Sequence, residues 1–551
     1  MGEPILKDGY SRVEGAQMRG SKTIKDLYPE LYRIIKKYES VSENNYSFTE
    51  TSKLFYKERK LKTVEYDKLP VILQRYSFQA KMKICQQFSI RAIQPSGLKK
   101  AEQLINYPLP WEIETFLLFS IKSKEYSNNN FEGKNINKFL QMIECIKAYI
   151  PSKMMGCINE TKLADYILMV LGLTQFELQE FYIYKYYRYF YIFNFKNQKI
   201  DMPDLFSRHF KTNYDDFLVF GFVLRLLFSL GINIPPNVLN YYAVTHSAAM
   251  NNLKISRDEY AKQIDRYSST VDDYLYCVRP SYSFPFIEYE DNIYLPLPHS
   301  IDRSITASLL YRMTEGNDPL RTLIGKEVLE KYLYEIIFES DLFDEVIPEQ
   351  TYILGKTERK TLDVMTRKIN DYLFFDSKLL TPKSKIRQLD DAIIDDQIER
   401  LSSCIEQIFK HLKHRFTHEY YCICEPKSII DKEQMWGMAV VLEDPYIRPE
   451  LIYCRAARNL KVDINSAEFK WMESHIKLVS LYDIEKFVFT GESILDHMKQ
   501  QKASGRNFDF SLGGDRQNSK ITNKKVLQFK SRIIDIIGNE ANELQKIGLI
   551  Q

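Results

Sequence analysis

The chain has 551 residues, and its 76 basic and 73 acidic residues nearly cancel to a net charge of +3. Cores stop growing near about 250–300 residues, so roughly two to four domains are expected. A composition of 44% hydrophobic and 27% charged residues, with only 20 Gly and 20 Pro, excludes wholesale disorder and collagen-like repeats. The charge balance excludes a global basic field.

In chain order, the first zone shows helical periods at Leu27, Leu31, Ile34 and Ile35, and at Phe139, Ile143, Ile146 and Ile150. The segment from Phe176 to Phe195 is dense in Tyr and Phe. An aromatic-rich core helix or strand pair is the stronger reading; a base-stacking platform with Lys185 and Arg188 on phosphates is the weaker. The run from Phe217 to Ile234 is almost wholly apolar, but Arg225 sits at its centre and Pro235–Pro236 ends it. A buried core helix is expected there, not a membrane span.

From about 286 the pattern changes. Strand-like pieces at Phe286–Tyr289 and Ile293–Leu297 precede helical patterns near Ser304–Arg312 and Leu320–Glu339. Strand-like runs follow at Thr361–Arg367 and Tyr372–Leu380, then a long helix over Leu389–Arg415 opened by Asp390, Asp391, Asp395 and Asp396. Further short apolar runs occupy Tyr420–Glu425, Trp436–Leu442 and Leu451–Cys454. This alternation implies a mixed α/β domain. A Gly-, Ser- and Asn-rich basic stretch, Lys502–Lys525, reads as a loop before a last helix, Val526–Ile547.

The chemistry concentrates in 359–382. Lys368-Ile369-Asn370-Asp371 separates two strand patterns and contains two turn formers. A turn centred on Ile369–Asn370 sets Asp363 directly opposite Asp376, with Cβ atoms about 4.5–5.5 Å apart. Lys378 shares that face, two residues on. Two carboxylates so close repel unless a cation joins them. Mg²⁺ or Mn²⁺ suits such a pair, and the Ser377 backbone carbonyl could add a hard ligand. Leu373-Phe374-Phe375 and Leu379-Leu380 mark the second strand as buried, where Asp and Lys rarely sit without a function.

These residues resemble the PD-(D/E)xK, or restriction-endonuclease-like, nuclease superfamily over roughly residues 305–500. Asp363 matches the first acid, and Asp376-Ser377-Lys378 matches acid-x-Lys. The segment Ile324–Tyr332 resembles the preceding Glu-bearing helix, with Glu330 as the family Glu and Glu327 as the alternative. Glu330 lies one residue off the commonest spacing from Gly325, and Leu362 stands where many members have Pro. Gln397, on the following helix, is similar to a Gln of the exonuclease subset. The resemblance implies a mixed central sheet flanked by helices and hydrolysis of DNA phosphodiester bonds. Asp363, Asp376 and Glu330 would hold Mg²⁺ or Mn²⁺, and Lys378 would position or activate water. It also points to bacterial defence against foreign DNA. Lys383, Lys385 and Arg387 cluster after the motif and are expected to meet phosphate.

The expected organisation is a helical, aromatic-rich region of one or two subdomains over 1–285, the nuclease-like domain over 286–500, and a basic loop and helix over 501–551. The first region would receive a sensor or regulatory protein. A homodimer is expected, because cutting both strands takes two centres. The alternative is a non-catalytic protein that grips nucleic acid or a partner on the same fold. His411, His414 and His418 with Cys422 and Cys424 could form a zinc site, but paired CxxC spacing is missing and YYCIC reads as an apolar strand. There is no GxxxxGK[ST], GxSxG or HExxH. Eight scattered Cys and a polar, charged stretch from Met1 to Leu27 fit a reducing cytoplasm.

Overall fold

The computed structural model describes residues 65–93, 108–149, 169, 182–230, 234, 236–420, 422–424, 430–505 and 520–549. The helical period at 27–35, the start of the aromatic stretch and residues 506–519 of the basic loop lie outside them. The chain divides into two compact units. One takes Met1–Gln179, Phe206–Leu310 and Ile534–Gln551; the other takes Glu180–Leu205 and Tyr311–Ile533.

The first unit is mostly helical. Its Pro110–Lys122 helix starts on a proline, whose missing N–H costs nothing there, and Glu112 Oε2 accepts from the Leu109 N–H at 2.8 Å. Ile113, Phe116, Leu117 and Phe119 along it are fully buried. A small sheet pairs β1 (Lys254–Ser256) parallel to β2 (Phe286–Tyr289), and β2 antiparallel to β3 (Asn292–Tyr294). The apolar run that opens near Phe217 forms a helix, Tyr214–Leu230. Among the described residues no helix is long and apolar enough to cross a membrane.

The second unit is built on a mixed five-stranded sheet. Its strands are β4 (Glu345–Pro348), β7 (Val364–Lys368), β8 (Asp371–Lys378), β9 (Met435–Val441) and β10 (Ile476–Ser480), in the order β10-β9-β8-β7-β4. β8, β9 and β10 are parallel; β7 is antiparallel to β8 and to β4. Between β4 and β7 a separate ribbon pairs β5 (Thr351–Leu354) with β6 (Thr357–Lys360). Helices flank the sheet, as the mixed α/β expectation required. Leu373, Phe374 and Phe375 make the centre of β8 wholly buried. A side chain at Gly437 in β9 would meet Ile408 at 2.3 Å, so only glycine lets the Asp391–Lys410 helix approach so closely.

Several local readings change. Leu451–Cys454 is helical, inside Pro449–Leu460, because four apolar residues alone do not distinguish the two periods. Cys422–Cys424 lie in a bend, not a strand. The helix expected over Leu320–Glu339 is broken by a π-turn at Gly325–Leu329, between Asp318–Ile324 and Glu330–Phe338. A second π-turn, His411–Arg415, follows the Asp391–Lys410 helix. The aromatic helix Tyr182–Asn194 belongs to the second unit, with Lys185 and Arg188 buried. Arg188 grips Glu485 through two bonds, of 2.8 and 2.6 Å, so it is a core charge and not a phosphate contact.

Candidate metal centre

The turn register holds. Val364 pairs with Phe375 and Lys368 with Asp371, so the row beyond Val364 and Phe375 is that of Asp363 and Asp376. Both acids are buried, at 7% and 1% exposure. They nevertheless turn to different partners. Asp363 Oδ2 accepts from the N–H and hydroxyl of Ser377, at 2.6 and 2.8 Å. Asp376 Oδ1 accepts from Gln407 Nε2 at 2.9 Å, and its Oδ2 lies 2.7 Å from Lys378 Nζ. Like charges that cannot be hydrated separate in this way. The amide on Asp376 is Gln407, not Gln397, which is buried on the same helix.

A third and a fourth acid complete the cluster. Glu330, Glu349 and Asp363 each offer a carboxylate oxygen, and these oxygens all lie within 4.8 Å of one another. Glu330 opens the helix that follows the π-turn, whose one extra residue rotates the face that helix presents. The same turn sends Glu327 elsewhere, to Lys199 Nζ at 2.8 Å and Asn197 Nδ2 at 3.1 Å. Glu349 follows β4, and its role was not legible: it lies on no periodic pattern, and only the path of the chain between β4 and the ribbon brings it in. Among the described residues no hydrogen bond or ion pair engages the Glu330 carboxylate.

The electrostatics are those of a site short of positive charge. Burial, then the Asp363 and Glu349 charges, push the Glu330 carboxyl up to about 8. Burial and the Asp376 charge push Asp363 up to about 7. Burial also raises Asp376, against the pull of Lys378. Burial alone would lower Lys378, but Asp376 and Asp363 outweigh it and hold its ammonium at about 12. Lys378 thus stays charged at neutral pH and suits stabilising negative charge better than taking a proton. Three converging carboxylate oxygens with one carboxylate unpartnered fit a hard divalent cation, held by Glu330, Glu349 and Asp363. Bound there, such an ion would supply Lewis-acid stabilisation of a phosphoryl oxygen. Asp376, beside them, pairs with Lys378.

The other sequence candidates scatter. Lys383 Nζ is 2.6 Å from Asp396, Lys385 is exposed, and Arg387 is buried at 5% exposure, so the three do not form one surface patch. His411 is buried and His414 exposed, because the π-turn breaks their common face. His411 Nε2 lies 2.8 Å from Arg415 Nη1, and its Nδ1 is 3.3 Å from the Tyr420 hydroxyl. Among the described residues, the acidic trio alone gathers three such ligand atoms. No family model matches the chain, and neither a curated protein nor a solved structure matches it.

Proposed function

We propose that the second unit is a metal-dependent phosphodiesterase acting on DNA. The observation that carries this reading is the convergence of Glu330, Glu349 and Asp363 beside the Asp376–Lys378 pair at the end of a buried strand. Excess negative charge at such a spot is costly without a cation. Lys378 provides a fixed positive charge next to it, placed to meet the charge that develops on phosphate. Asp363 is held by Ser377 and Asp376 by Gln407 and Lys378, so neither acid relies on solvent for its orientation. DNA as the polymer, and Mg²⁺ or Mn²⁺ as the ion, come from the likeness of the motif to PD-(D/E)xK nucleases.

The test is incubation of the full chain with plasmid, linear duplex and single-stranded DNA, in Mg²⁺, Mn²⁺ or EDTA. Cleavage that is lost in EDTA and in Glu330→Gln and Asp363→Asn supports the reading. Cleavage that survives in those variants overturns it. DNA binding without cleavage in any metal leaves a fold that only grips nucleic acid.

A further inference from the structure

One basic residue at the centre has no place in the motif. Lys360 closes the β5–β6 ribbon, paired with Thr351. Its Nζ donates to Glu349 Oε2. Glu349 precedes the ribbon and Asp363 follows it, so this lysine stands between two of the three acids in sequence, with its ammonium on the first of them.

Two features make the contact exchangeable. The backbone of Lys360 is held without its side chain: its carbonyl accepts from Arg415 Nη2 at 3.2 Å, and the next residue's N–H donates to Gln350 O at 3.0 Å. The two side chains remain 41% and 26% exposed, so the ammonium can leave by rotation about its own flexible stem. By contrast Lys378, itself 36% exposed, is paired with an Asp376 carboxylate that is 1% exposed. The centre therefore holds two lysines of similar exposure on two acids, one acid buried and one open to solvent.

We infer that Lys360 is an exchangeable counter-ion: it neutralises Glu349 while the centre lacks metal, and it moves to a substrate phosphate once a divalent cation engages Glu349. The inference rests on the metal-centre reading. The cation and the ammonium compete for the same carboxylate, and like charges would repel if both stayed. The released ammonium, at the rim of a centre that takes phosphodiesters, meets phosphate oxygens as its natural partner.

The two roles have opposite signs, and that makes the test sharp. Mn²⁺ is titrated by calorimetry into full-length wild type and Lys360→Met. The variant should bind Mn²⁺ about two- to fivefold more tightly, the span expected for losing one half-exposed competing ion pair. Plasmid cleavage should fall, and the salt slope of duplex binding in Ca²⁺ should drop by about 0.9, the loss of one phosphate contact. Lys360→Arg should restore the DNA terms. Unchanged or weaker Mn²⁺ binding in Lys360→Met overturns the exchange, and weaker binding together with a lower melting temperature marks the lysine as structural. As a second variant, Glu349→Gln removes the shared carboxylate, so adding Lys360→Met to it should leave Mn²⁺ affinity unmoved; a further gain also overturns the exchange. Failure of the underlying reading looks different: wild type then takes up no Mn²⁺, or Glu330→Gln takes it up as well as wild type.

Discussion

Each unit gathers carboxylate and cationic side chains away from solvent, and the two groups are balanced differently. In the first unit Glu114 is 1% exposed and fully engaged. Arg279 Nε donates to it at 3.1 Å, the Tyr282 hydroxyl at 2.7 Å, and His299 Nε2 lies 3.0 Å away. His299 Nδ1 in turn sits 2.7 Å from the Ser89 hydroxyl. A Ser–His–Glu sequence of contacts invites a catalytic reading, but Ser89 is wholly buried and the acid's charge is spent on Arg279. In the second unit Glu330, Glu349, Asp363 and Asp376 face two lysines, and among the described residues Glu330 has no hydrogen bond or ion pair. A buried acid satisfied by its neighbours holds a fold together; a group of converging acids short of positive charge is a candidate cation site.

The largest expected effect tests the first half of that contrast. Glu114→Ala leaves the Arg279 guanidinium buried without its counter-charge, which should cost about 3–5 kcal/mol, read as a lowered melting temperature. A stability close to wild type would show that the cluster is not structural. Next, Lys378→Ala should lower cleavage by about 100- to 1000-fold, as for removal of one transition-state charge donor, while duplex binding stays within a few-fold of wild type. Near-normal cleavage would remove Lys378 from the chemistry.

A third test uses pH. Burial, then the Arg415 charge, lowers His411 to about 4. Burial, then Lys502, does the same to His475. Both are buried neutral, so between about pH 6.5 and 4 these two side chains bind more protons in the unfolded chain than in the folded one, and their contribution to stability falls as pH falls, while the raised carboxyls of Glu330 and Asp363 act in the opposite sense. The loss is up to roughly 3 kcal/mol per histidine. His411→Gln should make melting temperature fall less, or rise more, than wild type as pH drops from about 6.5 to 4; a pH profile parallel to wild type would assign the effect to other groups. The smallest effect closes the contrast. Glu330→Gln should leave metal-free stability level or raise it by about 1 kcal/mol, since it relieves repulsion and breaks no bond. A sharp fall in EDTA would place Glu330 with Glu114 among the structural acids.

How much of this could be read in advance depended on range. The β7–β8 register followed from one turn, since Ile369–Asn370 fixes every pair behind it. Trp436–Leu442 announced β9 by its continuous apolar run, and Asp390 opened its helix by accepting from the Ala392 and Ile393 N–H groups at 2.9 and 3.3 Å. The ribbon left no such trace: Ile353 is 77% exposed and Glu358 is exposed as well, so burial imposed no pattern on it. Gln407 and Glu485 likewise gain their partners only from distant segments, Asp376 and Arg188.

The sequence by itself determined the mixed α/β class, the hairpin and the presence of Asp363, Asp376 and Lys378 in neighbouring rows, because those features rest on local turn chemistry and on side chains alternating along a strand. Tertiary structure alone decided three things: that Glu330 and not Glu327 joins the acids, that Glu349 and Lys360 stand beside it, and that Asp376 pairs with Lys378 and Gln407. The π-turn shifts a helix face by one residue, and the ribbon folds two distant acids together. Neither event is encoded in a period of two or of 3.6 residues.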